Sequence, residues 1–133
     1  MKVSPYLSFN GQCEDAFRFY AKVLNGTLSE IHTYGNSPMK DQTSAEWADR
    51  VMHVSLDVGG DLLMGADAPP EHFQQAQGTS VSLTGLAFDE GARVFKALSE
   101  GGTIVMPFEK TFWASGFGML VDRYGIPWMV NCD

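Results

Sequence analysis

Basic residues, cysteine and long apolar runs are all scarce in this sequence. Nine lysines and arginines stand against sixteen aspartates and glutamates among 133 residues, a formal charge of -7. An acidic surface repels phosphate backbones, and no Lys/Arg-rich run offsets it, so nucleic acid is not expected as a partner. No stretch of about 18 apolar residues occurs, so no membrane span is expected. The opening Met1-Lys2-Val3-Ser4-Pro5 has no apolar h-region. It does not read as a secretory signal, and a cytoplasmic location is expected. The two cysteines, Cys13 and Cys132, lie near opposite ends of the sequence. They are expected to be reduced thiols rather than a disulfide framework.

What is present is an ordinary globular composition, 44% apolar and 19% charged, long enough for one domain with a real core. Val3 to Phe9 reads as a strand closed by Asn10-Gly11. The period then changes: Cys13, Ala16, Phe17, Tyr20, Val23 and Leu24 recur at three to four residues, an amphipathic helix. Asn10 or Gly11 is placed to cap it, and Asn25-Gly26 to end it. Thr27 to Tyr34 reads as a second strand. Gly35 to Asp49 is a long polar loop, open to three readings: a lid, a dimer contact or a disordered segment. Arg50 to Val58 and Asp61 to Ala66 read as a hairpin turning at Gly59-Gly60. Pro69-Pro70 closes this half.

The second half repeats the first. Val81 to Ala87 reads as a strand, Asp89 as a helix cap, Val94, Phe95 and Leu98 as a helical stripe, and Gly101-Gly102 as its stop. Strands follow at Thr103 to Met106, Phe117 to Asp122 and Pro127 to Cys132. A shift of 76 residues matches Ala16, Phe19, Ala21, Gly26 and Thr27 with Ala92, Phe95, Ala97, Gly102 and Thr103. The expectation is an α+β chain, 1–133, of two βαβββ modules at 1–70 and 78–133. Their sheets need cover on both faces, most simply by curving around a cavity or by pairing with the other half.

Paired βαβββ modules are the architecture of the vicinal-oxygen-chelate superfamily, which includes glyoxalases, dioxygenases and bleomycin-resistance proteins. The sequence resembles it over nearly its whole length. Phe9-Asn10-Gly11, Ala16-Phe17-Arg18-Phe19-Tyr20 and Leu24-Asn25-Gly26 look like its opening strand and helix. Val51-Met52-His53-Val54, Leu62-Leu63-Met64, Asp67 and the ending Asp122-Arg123-Tyr124-Gly125-Ile126-Pro127-Trp128-Met129-Val130-Asn131 resemble its PhnB-like branch. That branch often carries the label 3-demethylubiquinone-9 3-methyltransferase-like. Here the label does not imply methyl transfer, because no strand–Gly-rich-loop–helix unit is present to hold a nucleotide-like cofactor.

The resemblance implies where a metal would sit in metal-dependent relatives: on the first and last strand of each module. Those positions fall here at Pro5, Met64, Ser80 to Ser82 and Met129. Proline offers no side-chain donor, and thioethers suit copper(I) rather than magnesium, manganese, nickel or zinc. No metal and no cofactor are therefore expected. The candidate ligand-binding residues are His53, Asp67, Trp113, Met64 and Met129. His53 shares a strand face with Ser55 and Asp57 and reads either as a ligand-contacting imidazole or as a held structural histidine. Asp67 reads as a partner of His53, a ligand contact or a cap for the Pro69-Pro70 turn. Trp113 reads as a loop residue, either at a cavity edge or in ordinary core or dimer-interface packing, and His32 and His72 read as surface residues. Three functions stay open: a homodimeric protein holding a small, largely apolar organic molecule; an enzyme with a relocated site around His53 and Asp67; and a structural or partner-binding domain.

Overall fold

The computed structural model describes residues 1–133, and the chain forms two compact units, Met1–Gln75 and Ala76–Asp133. The first contains β1 (Tyr6–Phe9), α1 (Cys13–Leu24), β2 (Thr27–Leu28), β3 (His32–Thr33), β4 (Val51–Val58) and β5 (Asp61–Asp67). The second contains β6 (Val81–Leu86), α2 (Phe88–Ser99), β7 (Thr103–Glu109), β8 (Gly116–Val121) and β9 (Pro127–Cys132). Both are open mixed sheets with one helix each, an α+β architecture. The first sheet runs β1-β5-β4-β2, with β3 also on β4, and the second runs β6-β9-β8-β7. In each the first strand lies parallel to the last, β1 on β5 and β6 on β9, and the hairpins are antiparallel.

The repeat is visible in how each helix meets its sheet. Helix α1 buries Cys13, Ala16, Phe17, Tyr20 and Val23. The Phe17 ring lies where a side chain at Gly65 would be, so only glycine fits there. Helix α2 buries Gly91, Val94, Phe95 and Leu98, and Phe95 occupies the corresponding space above Gly118. Gly91 in turn leaves room for the Cys132 sulfur. Because strand side chains alternate, the opposite face of each sheet carries no helix of its own unit.

Several local expectations differ from what is observed. The strand expected over 27–34 divides into β2 and β3. At the break, Ser29 bonds across to Ser55: its backbone N–H donates to the Ser55 carbonyl, and its Oγ accepts the Ser55 N–H. The polar loop beyond it is ordered by two short 3₁₀ turns, at Tyr34–Asn36 and Lys40–Gln42. Its ends are pinned together, with the Tyr34 N–H on the Arg50 carbonyl and the Gly35 N–H on the Ala48 carbonyl, the geometry of an Ω-loop. Asp89 does not cap α2. The helix begins two residues earlier, behind Ala87, and Asp89 and Glu90 lie in its first turn, where they favour the positive end of the helix dipole. Neither Asn10 nor Gly11 caps α1. The residue at that position is Gln12, which gives no side-chain bond, and the cap arrives from elsewhere in the chain.

Candidate functional site

That cap is Asp67, at the end of β5. It is 1% exposed. Its Oδ1 accepts the backbone N–H of Gly11 at 2.9 Å and of Cys13 at 3.0 Å, and its Oδ2 accepts that of Val51 at 2.9 Å. One carboxylate thus joins the start of α1, the start of β4 and the end of β5. Its own carbonyl receives the Tyr34 hydroxyl at 2.7 Å. With both oxygens engaged on the helix-covered side, Asp67 neither orients His53 nor presents itself to a ligand. Nor does it cap the Pro69-Pro70 turn, which closes through the His72 and Phe73 N–H groups on the Pro69 carbonyl. The sequence readings of Asp67 are corrected accordingly. Burial, with Asp67 and Glu14 adding to it, pushes the Cys13 thiol far above its ordinary pKa, so Cys13 is a core residue and not a nucleophile. Both cysteines are free and buried.

The helix-free face of the first sheet is built by register. Tyr6 partners Met64, and Met64 partners Ser55, so these three side chains form one row across β1, β5 and β4. His53 joins the same face two residues before Ser55. β4 carries an extra residue here: His32 partners His53, but Thr33 partners Val51, leaving Met52 as a bulge. The bulge lets Val51 and Val54 both stay buried while His53 faces outward. The Tyr6 hydroxyl lies 3.0 Å from His53 Nδ1, with the two rings 5.7 Å apart. Burial, and then the nearby Cys13 and Tyr34, raise the Tyr6 phenol above its ordinary pKa, so it keeps its proton at neutral pH.

The register also moves one expected position. A strand residue and its neighbour point to opposite faces, so Pro5 cannot share a face with Met64. Tyr6 holds that place. In the second unit Ser82 partners Met129, and Met129 partners Met119, a matching row across β6, β9 and β8. Beside it Phe117 partners Asn131. The Trp113 indole N–H donates to Asn131 Oδ1 at 3.2 Å, and its ring lies 5.3 Å from Phe117. Trp113 is 52% exposed and Phe112 beside it 96%.

The structure thus places His53 and Met64 on one helix-free face, and Trp113 and Met129 on the other unit's. Tyr6 and Asn131 were missed as site residues. The alternation of Leu7 and Phe9 inward with Tyr6 and Ser8 outward was the available signal for Tyr6. As a test of a metal site within each unit, Tyr6 and Met64 supply a phenol and a thioether in the first, and Ser82 and Met129 a hydroxyl and a thioether in the second, and neither pair fits a divalent magnesium, manganese, nickel or zinc ion. No group of three or more His, Cys, Asp or Glu side chains is arranged to hold a metal. No helix is long and apolar enough to cross a membrane.

Two βαβββ units, each with its first strand parallel to its last, define a vicinal-oxygen-chelate protein. Residues 1–131 match the model of the family described as 3-demethylubiquinone-9 3-methyltransferase, and the chain belongs to that PhnB-like family. It is similar to protein YjdN of Escherichia coli K12, at 36% identity over 139 aligned residues covering 98% of this chain and 95% of that protein. Among solved structures it is similar to protein PA1353 of Pseudomonas aeruginosa, with a TM-score of 0.92 and 43% identity covering 100% and 98% of the two chains. It is also similar to the PhnB protein of Bacillus cereus, with a TM-score of 0.84 and 25% identity over the full length of both.

Proposed function

We propose that this chain is a metal-independent, cytoplasmic binding protein in which a helix-free sheet face holds a small, largely apolar organic molecule without altering it. The observation that carries this reading is the donor set at the four strand positions where metal-dependent relatives place His, Glu or Gln. Tyr6, Met64, Ser82 and Met129 line the two units' helix-free faces with apolar and weakly polar groups, and Trp113 adds an aromatic surface. Such linings, apolar with a few convergent polar groups, suit small organic ligands. The test is a thermal-shift screen of chelator-stripped protein against divalent metals and a panel of small organic compounds. A compound at about 100 times its Kd adds roughly 2.7 kcal/mol to stability, a visible rise in Tm. Stabilisation by an apolar compound and none by metals is the expected result. A rise with a divalent metal that His53→Ala abolishes would overturn it. The Tyr6–His53 contact favours a second reading, an enzyme centred on His53, to which Asp67 contributes nothing directly.

The binding protein is also proposed to be a homodimer. Strand β7 is an edge strand that exposes Ile104 by 51%, Val105 by 60% and Met106 by 44%. A row of exposed apolar side chains on an open edge calls for a partner, and a second copy supplies one with the same apolar chemistry. Sedimentation velocity is expected to give a dimer, and Val105→Glu to give a folded monomer. A monomeric wild type at tens of micromolar, an estimate set by typical interface affinities, would rule this out.

A further inference from the structure

Tyr6 and His53 lie 47 residues apart in sequence, on β1 and β4, yet their polar atoms meet at 3.0 Å. A neutral phenol is a good donor and a poor acceptor, because its lone pair is delocalised into the ring. A neutral imidazole nitrogen is the better acceptor. The favourable pairing is therefore phenol O–H to Nδ1, which leaves the ring proton of His53 on Nε2. Nδ1 is occupied by this bond, so the half-buried ring has one hydrogen-bonding group left to offer, an Nε2–H. The surroundings decide which acceptor suits it. Met64 and Ser55 lie in the adjoining row, with Leu62 and Ala66 along β5 on the same face. Strands β1, β4 and β5 contain no lysine or arginine, while Asp57 lies on the same face of β4. His32 pairs with His53 across β3, and an anionic group on this face would meet no lysine or arginine from its strands.

We infer that Tyr6 holds His53 as a fixed Nε2–H donor, and that this face selects an uncharged carbonyl oxygen on an otherwise apolar ligand. This rests on the binding reading above and names the chemistry its ligand must carry. Tyr6 is a positioning residue in it, and His53 is the contact. Two measurements test it. Long-range ¹⁵N NMR of the imidazole is expected to show the Nε2–H tautomer in the wild type and a shift toward a mixture in Tyr6→Phe. An Nδ1–H tautomer in the wild type overturns the inference.

The second measurement is binding of acetophenone, ethylbenzene and benzoate to the full chain at neutral pH. The ketone is expected to bind about tenfold more tightly than the hydrocarbon, the size of one net hydrogen bond. His53→Phe is expected to erase that preference while leaving ethylbenzene affinity in place. Equal affinity for ketone and hydrocarbon overturns the inference and leaves the binding reading standing. Tightest binding of benzoate overturns the choice of an uncharged oxygen. Failure of all three compounds to bind, with the Nε2–H tautomer present, counts against the binding reading itself.

Discussion

Asp67→Ala is expected to lower the unfolding free energy by about 4 kcal/mol, most of the stability of a marginal domain. The carboxylate receives three backbone N–H groups, from Gly11, Cys13 and Val51. A buried donor stranded without an acceptor costs roughly 1–3 kcal/mol. Cys13 and Val51 are buried, whereas Gly11 is only half-buried and water can reach it. Two full losses and one partial loss give the figure. The start of α1 also loses the negative charge at its positive end. Asp67→Asn separates geometry from charge. Its one oxygen still serves two donors, but its amide now faces the Val51 N–H, donor against donor, for a loss of about 2 kcal/mol. Urea unfolding followed by circular dichroism measures both, with an unchanged slope showing that the native state is intact. A loss under about 1 kcal/mol in both variants would mean that the three segments are held together by other contacts.

The second large effect lies at the other buried carboxylate. Asp122 Oδ1 accepts the N–H groups of Tyr124 and Ile126 at 2.8 and 3.0 Å, closing the turn before β9. Its Oδ2 accepts the Trp128 indole N–H at 2.8 Å. Trp128 is the largest fully buried side chain in the protein. Asp122→Ala is expected to cost about 3 kcal/mol and Trp128→Phe about 2 kcal/mol, the latter by leaving a small cavity and a carboxylate oxygen without its donor. The double variant should lose about 1 kcal/mol less than the sum, because each single change strands the other partner. Strict additivity in thermal or urea unfolding would show that the indole bond adds nothing to this turn.

The architecture was legible because its signals are short-range and repeated. The helical stripe from Cys13 to Leu24, the glycine stops after both helices and the run from Pro127 to Cys132 are each fixed within a dozen residues. The matches at a 76-residue shift then doubled the evidence for each module. Met64 and Met129 were picked out because the resemblance puts last-strand positions there, and the observed register sets each on a helix-free face. The site's hydrogen bonds carried no such signal. Tyr6 and His53 are separated by 47 residues and Trp113 and Asn131 by 18, and no local pattern joins either pair. Placing the first-strand position at Pro5 was an error of one residue, which in a strand is an error of a whole face. Asp67 was misread because a short acidic residue before two prolines resembles a turn cap, and because its real partners lie on two distant segments, the start of α1 and the start of β4. At Ala87 and Phe88 the chain enters α2 with no capping side chain, so the nearby aspartate drew the boundary two residues late.

The two buried carboxylates differ in the length of chain each one closes. Asp122 binds partners two, four and six residues ahead, so its network assembles within a single turn. Asp67 reaches back 56 and 54 residues to Gly11 and Cys13, and 16 to Val51. Loop-closure entropy opposes long-range contacts until intervening structure has brought the ends together. The Asp122 turn is therefore able to nucleate its hairpin early, whereas the Asp67 junction needs α1, β4 and β5 already in place. During synthesis this makes the amino-terminal unit the one whose last bond certifies a finished sheet, and the carboxy-terminal unit the one that starts from its own final turn.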